Sequence, residues 1–179
     1  MTGDVAVVMP IEAIDREDTR VLALFDAHHQ RLYTLARRLS PNAEDARDLV
    51  QETFLKVAAA VDRVPTGRQD EEAWLVRVLV NLCRDRWRRA VTWRSYFARE
   101  TRRRIPATNP EGQLVARTVI REALQRLPPR RRAIVVMHEL EGASPPEIGR
   151  LLGIKAVTVR WHLSRGRREL ARIIQGASS

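Results

Sequence analysis

The chain of 179 residues holds one cysteine, Cys83, two lysines, Lys56 and Lys155, and only 5% aromatic residues. A single cysteine excludes an internal disulfide and fits a reducing compartment. No apolar run approaches the roughly 20 residues that a membrane helix needs, so no membrane insertion is expected. The opening stretch, MTGDVAVVMPIEAIDRED, has no basic start and turns acidic, unlike a signal peptide, so the cytoplasm is the expected location. There is no glycine-rich phosphate loop. The four histidines, His28, His29, His138 and His162, show no zinc-ligand spacing with one another or with Cys83. Catalysis would need clustered carboxylates or a nucleophile beside its base, and neither is evident. No catalytic residue, metal, cofactor or small-molecule substrate is expected.

What the chain does have is arginine. Thirty-two basic residues face 22 acidic ones, a formal charge of +10, and all but two of the basic residues are arginine. Residues 1–60 carry 7 basic and 10 acidic groups, whereas residues 84–113 carry 9 and 3, and residues 114–179 carry 13 and 5. A basic back half points to a polyanion, and an acidic front half to a basic protein partner. Arginine favours bidentate contact with phosphates and guanine edges.

Apolar spacing predicts helices throughout and no strands, so the fold class is all-α. Residues 1–17 show no period and read as a flexible lead. A helix is expected over 19–39, with Leu22, Phe25, Leu32, Leu35 and Leu39 inward, ended by Ser40-Pro41. A second is expected over 43–61, with Ala46, Leu49, Val50, Phe54, Val57 and Val61 inward. Residues 63–70, with Pro65 and Gly67, read as a loop before a third helix from about Asp70 to Arg89. Residues 18–89 thus form one small helical domain. Residues 90–112 lose the period, gather arginines and contain Pro106 and Pro110, the composition of a flexible basic linker. Periodicity resumes for a second small helical domain over 113–174.

Within that domain, SPPEIGRLLGIKAVTVRWHLSRGRRELAR, residues 144–172, reads as two helices joined by a tight turn. Ser144 suits a helix N-cap, Pro145 a first turn, and Gly153 a left-handed C-cap. Val159, Leu163 and Leu170 mark the inner face of the second helix. Lys155, Thr158, Arg160, Trp161, Ser164, Arg165 and Arg168 fall on other faces. This is the pattern of a DNA-binding helix-turn-helix, whose second helix enters the major groove.

Three further segments join this one. They are DARDLVQETFLKV at 45–57, EEAWLVRVLVNLCRDRWRR at 71–89 and LPPRRRAIVVMHELEGASPPEIGRLLGI at 127–154. Together, in this order and across a linker, they resemble the sigma-70-type RNA polymerase sigma factors, in particular the minimal extracytoplasmic-function (ECF) group. The resemblance covers about residues 22–89 and 114–173. It implies an alternative sigma factor that binds core RNA polymerase and promoter DNA, with an anti-sigma protein as a further partner. Asp48, Leu49, Gln51, Glu52 and Phe54 match the helix that docks on the polymerase clamp. Asn81, Arg77, Arg84, Trp87, Arg88 and Arg89 match the part that melts and reads the −10 element. Trp74, at core spacing with Val78, reads as packing. Lys155, Thr158, Arg160, Trp161, Ser164, Arg165 and Arg168 match the part that reads the −35 element.

The chain departs from the family pattern at three places. Pro145-Pro146 replaces an aromatic and an acidic residue, Arg47 replaces an acidic one, and Trp161 stands where a smaller residue is usual. The alternative function is a helix-turn-helix regulator that does not act as a polymerase subunit. That alternative gives no reason for residues 45–57 and 71–89 to carry their motifs together.

Overall fold

The computed structural model describes residues 11–97 and 112–176, with side chains over 18–91 and 119–176. The helix α1 runs Ile11–Leu39 and ends where Ser40 N–H bonds back to Ala36 O at 2.8 Å. Helix α2, Ala43–Ala58, starts at Asn42, whose side chain accepts from Asp45 N–H at 2.8 Å and holds one orphan donor of the first turn. A single 3-10 turn, Val61–Arg63, follows. Val61 and Val64 are buried there, and the Arg20 guanidinium donates to Val64 O, tying the turn to α1. Gly67, at φ +104°, turns the chain into α3, Arg68–Phe97.

The second half comprises α4 (Gly112–Arg126), α5 (Pro129–Glu139), α6 (Pro145–Leu152) and α7 (Ala156–Gln175). All seven α-helices and the absence of strands, among the described residues, agree with the all-α expectation. Several boundaries differ. The expected lead over 1–17 is helical from Ile11, and the expected linker over 90–112 is helical to Phe97 and again from Gly112. The flexible character expected of 1–10 and 98–111 lies outside the described residues.

The inner faces also needed correction. Leu32, Leu35 and Leu39 are buried as expected, but Leu22 and Phe25 are 63% and 40% exposed. Leu24 and His28 take their places, with His28 Nε2 3.2 Å from Glu71 on α3. Leu140, on the far side of α5's end, is also exposed.

The two halves share one apolar core. Leu35, Leu39, Leu75 and Leu79 from the first half are continuous with Leu127, Ile134, Met137 and Ile148 from the second. Helix α3 packs on α5 and α6, and α1 on α5. Polar contacts cross the same junction. Glu141 lies 2.7 Å from Arg38 and 2.8 Å from Arg31, both on α1. Arg31 also reaches Glu72 at 3.2 Å. Burial works against its charge, but the two carboxylates outweigh it and hold its pKa above the ordinary arginine value. Arg150 donates to Gln69 O at 2.7 Å.

At the centre lies Arg132, 3% exposed. Its guanidinium donates to Leu39 O, Gln125 Oε1, Gln125 O (2.8 Å) and Leu127 O (3.2 Å). The Leu39 carbonyl belongs to the last turn of α1, where helix carbonyls lack internal partners. Arg132→Met is expected to lower the unfolding free energy by about 2–4 kcal/mol, because buried carbonyls lose their donors. Arg132→Lys should recover only part of this, since a point ammonium cannot span the acceptors a fork reaches. Urea unfolding followed by tryptophan fluorescence measures both; wild-type stability for Arg132→Met would refute the assignment.

Candidate nucleic-acid interface

The short helix α6 is framed by its caps. Ser144 accepts from Glu147 N–H at 3.4 Å, and the Glu147 carboxylate accepts from Ser144 N–H at 2.7 Å, a reciprocal capping box. These hydrogen bonds hold the Glu147 carboxyl below its ordinary range. Pro145 and Pro146 occupy the first turn, where a missing N–H costs no internal bond, so the helix starts there undisturbed. Gly153 closes it at φ +65°, and Ile154 N–H bonds to Gly149 O at 2.9 Å. Gly149 is required by this turn: a Cβ there would stand 2.6 Å from Ile154 O. The start of α7 is close as well, with Ala156 N 3.5 Å from that Cβ.

Helix α7 buries Val159, Leu163 and Gly166, with Leu170 and Ile173 packed partly against the core, and turns its arginines outward. A Cβ at Gly166 would lie 2.7 Å from Val135 Cγ2, so α7 sits directly on α5. Two ion pairs tie α7 to α5: Arg131 of α5 pairs with Glu169, and Arg167 with Glu139 of α5 at 2.7 Å. Burial, with the nearby Arg131 and Arg130 charges, pulls His162 below its ordinary pKa, so the packed edge of α7 stays neutral. Lys155, Arg160, Trp161, Ser164, Arg165 and Arg168 are exposed, and Thr158 is half-buried. Six of the seven expected −35 residues therefore form one open surface. The Arg165 guanidinium carbon stands 5.5 Å from the centre of the Trp161 ring.

The expected −10 residues are less uniform. Asn81, Arg84, Arg88 and Arg89 are exposed on α3, and Trp87 is half-buried. Arg84 contacts Asp85 at 3.3 Å. Arg88 and Arg89 border a polar cleft with Glu52, Lys56, Leu82 and Asp85. Arg77 is different: it points at the helix-turn-helix, with Nη1 3.4 Å from Arg150 O and its side chain beside Gly153. Trp74 is half-buried against the core, as the packing reading has it.

The expected docking residues divide three ways. Asp48 and Gln51 are exposed on α2. Leu49 is 1% exposed and holds α2 in the core; it presents nothing to a partner. Glu52 is paired within the chain, Arg86 reaching it at 2.7 and 3.1 Å, so its charge already has a partner. Phe54 is 8% exposed, but its ring lines an apolar cavity of about 620 Å³ between α1 and α2. Val21, Phe25, Tyr33 and Leu55 line the same cavity, and Phe25 lies 4.9 Å from Phe54 ring to ring. The period of α1 placed Phe25 in the core and so hid this cavity.

Comparison with known proteins agrees with this geometry. The family model for sigma-70 region 2 matches residues 24–93, and that for sigma-70 region 4 matches residues 117–170. The ECF RNA polymerase sigma factor SigE of Mycolicibacterium smegmatis is 40% identical over 148 residues, covering 80% of this chain and 57% of the relative. SigM of Mycobacterium tuberculosis is 33% identical over 153 residues, covering 84% of this chain and 75% of the relative. The fold is also that of RpoE from Bartonella quintana, solved with the anti-sigma factor NepR. That match has a TM-score of 0.58 and 24% identity, over 90% of this chain and 97% of that one. CnrH, solved with the cytosolic domain of CnrY, gives a TM-score of 0.56 at 25% identity, over 87% of this chain and 88% of that one. Among the described residues no helix is long and apolar enough to cross a membrane. The chain belongs to the ECF group of sigma-70-type RNA polymerase sigma factors, the alternative sigma factors that direct promoter-specific transcription.

Proposed function

We propose that the two halves divide the work of initiation, in the cytoplasm and without catalysis of their own. The first docks on core RNA polymerase through Asp48, Gln51 and the rim of the apolar cavity. Its third helix tracks the −10 element through Asn81, Arg84, Trp87, Arg88 and Arg89. The second half reads the −35 element through α7. The observation that carries this reading is the sorting of charge on α7. Arg167 is paired with Glu139 of α5, while Arg160, Arg165 and Arg168 stay exposed on faces turned from the core. Run-off transcription with core polymerase, with and without the chain, tests it on the chain's own upstream promoter. A new specific transcript is the expected result.

Two residue-level outcomes follow. Asp48→Arg should weaken core binding without loss of stability, because Asp48 is exposed. It is a cleaner probe than Glu52, whose removal would strand Arg86. Arg160→Ala should weaken promoter binding by roughly 1–3 kcal/mol if it holds a base, or lower the salt slope by about one if it holds a phosphate. Fluorescence anisotropy at several salt concentrations separates the two.

We further propose that the halves separate on the promoter. The −10 and −35 elements lie about 25 base pairs apart, roughly 85 Å along the duplex at 3.4 Å per step. In the closed chain the −10 candidate Arg77 touches the turn that leads into α7. One rigid arrangement cannot serve both elements. An anti-sigma protein, of the kind present with RpoE, would then act by holding the closed form. Glu141→Ala removes the acceptor shared by Arg31 and Arg38. It is expected to speed holoenzyme assembly several-fold in stopped-flow mixing with core polymerase; an unchanged rate would mean that separation does not limit assembly.

A further inference from the structure

The outward face of α7 is not uniformly polar. Val157 is 64% exposed and Trp161 is 52% exposed. They stand four residues apart, so they lie one above the other on the same helix face. Lys155 at the N-cap, Arg160, Arg165 and Arg168 surround them, all exposed. The core of the second half is filled without them, by Val159 and Leu163 on the opposite face. Packing therefore does not account for two large apolar side chains at this end of the helix. Nor does phosphate binding, which calls for cations and hydrogen-bond donors.

The cations name the occupant of this face as a polyanion. In the major groove of a duplex, the apolar group offered on a base edge is the C5-methyl of thymine. We propose that Val157 and Trp161 read thymine methyl groups in the −35 element, giving this chain an apolar component of promoter choice. The proposal rests on α7 being the −35 reader. Arg165 has a part in the geometry. Its guanidinium, over the indole at 5.5 Å, restrains the Trp161 ring and carries a fork of donors to the neighbouring base or phosphate. Val157 lies on the first turn of α7, the end that a recognition helix presents to base edges.

The experiment uses the full chain with core polymerase. Duplexes randomised across the −35 element are selected by binding, and each thymine in the recovered sequence is then replaced by deoxyuridine, which deletes only the methyl. Uracil at one or two positions should weaken wild-type binding about fourfold each, the worth of one buried methyl-sized group. In Val157→Ser and Trp161→Ser the same replacement should cost less than about 1.5-fold, because the apolar partner is gone. Val157 is the more exposed of the two, so its variant carries the test if Trp161→Ser folds poorly. A recovered −35 sequence without thymine would overturn the proposal. So would uracil that costs nothing in wild type, or costs the same in the variants, and in these cases α7 remains the reader. Recovery of no −35 preference at all would instead remove the reading of α7 and this proposal with it.

Discussion

The structure depends on a cation with no carboxylate beside it. Arg132 is almost wholly buried, and the two terminal nitrogens of its guanidinium are held by oxygens from Leu39, Gln125 and Leu127, while Nε has no partner. Burial lowers its pKa, yet arginine starts so high that the charge survives at neutral pH. Its neighbour Cys83 does not supply an anion, because burial pushes the thiol up despite Arg132 and Arg86. The counter-charge is instead the negative end of α1, whose last carbonyls carry the helix's partial charge. One side chain thereby fixes the end of α1, the end of α4 and the start of α5. Helix α5 in turn seats α7 through Gly166, so the pose of α7 relative to α3 traces back to this guanidinium.

The charge asymmetry of the sequence takes on a definite form in three dimensions. Carboxylates of the first half, Glu71 and Glu72, are used on α1, at His28 and Arg31. Glu141, from the basic half, crosses to Arg31 and Arg38 of the acidic half. The junction is thus held by charges set against the average sign of their own segment. Exposed arginines of the second half stand on α7 and also at Arg121, Arg126 and Arg130 of α4 and α5. A strongly basic composition therefore does not by itself locate a DNA-binding face.

Much of the fold was legible because it is written in local rules. Ser144, Pro145 and Gly153 framed α6, and the apolar period placed Leu32, Leu35, Val57, Ile134, Val159 and Leu163 correctly. The exposure of the residues expected at the −35 element was legible for the same reason, since it follows from the period of α7. What failed depends on contacts distant in sequence. Nothing local says that Glu52 meets Arg86, or that Arg77 meets Arg150. Leu49 matched a docking motif, but its burial follows from its place in the α2 period, which the motif match overrode. Leu22 and Phe25 kept helical spacing, yet Leu22 is exposed and Phe25 faces the α1–α2 cavity, because a 29-residue helix offers more than one face to its surroundings. Helix ends were missed where no cap marks them, as at Phe97.

The same logic explains why the closed form is stable without being locked. Its polar contacts mix two kinds. Arg132 is sequestered from water, so the cost of leaving its acceptors unmet is high. The bond from Arg150 to Gln69 O is exposed, and water can replace it. The pairs of Arg31 and Arg38 with Glu141 hold more firmly, because the Glu141 side chain is only 8% exposed. Separation can therefore begin at the rim, with Arg150, at small cost. Completing it requires Arg132 to leave Leu39 O. Residues 125 and 127, which supply its other acceptors, belong to the same half as Arg132 itself. Most of its hydrogen bonds can therefore travel with it when the halves part. One carbonyl at the end of α1 is then left to water, which can satisfy it. A junction built this way can hold α3 and α7 together in the free chain and still release the two halves to a partner that binds them apart.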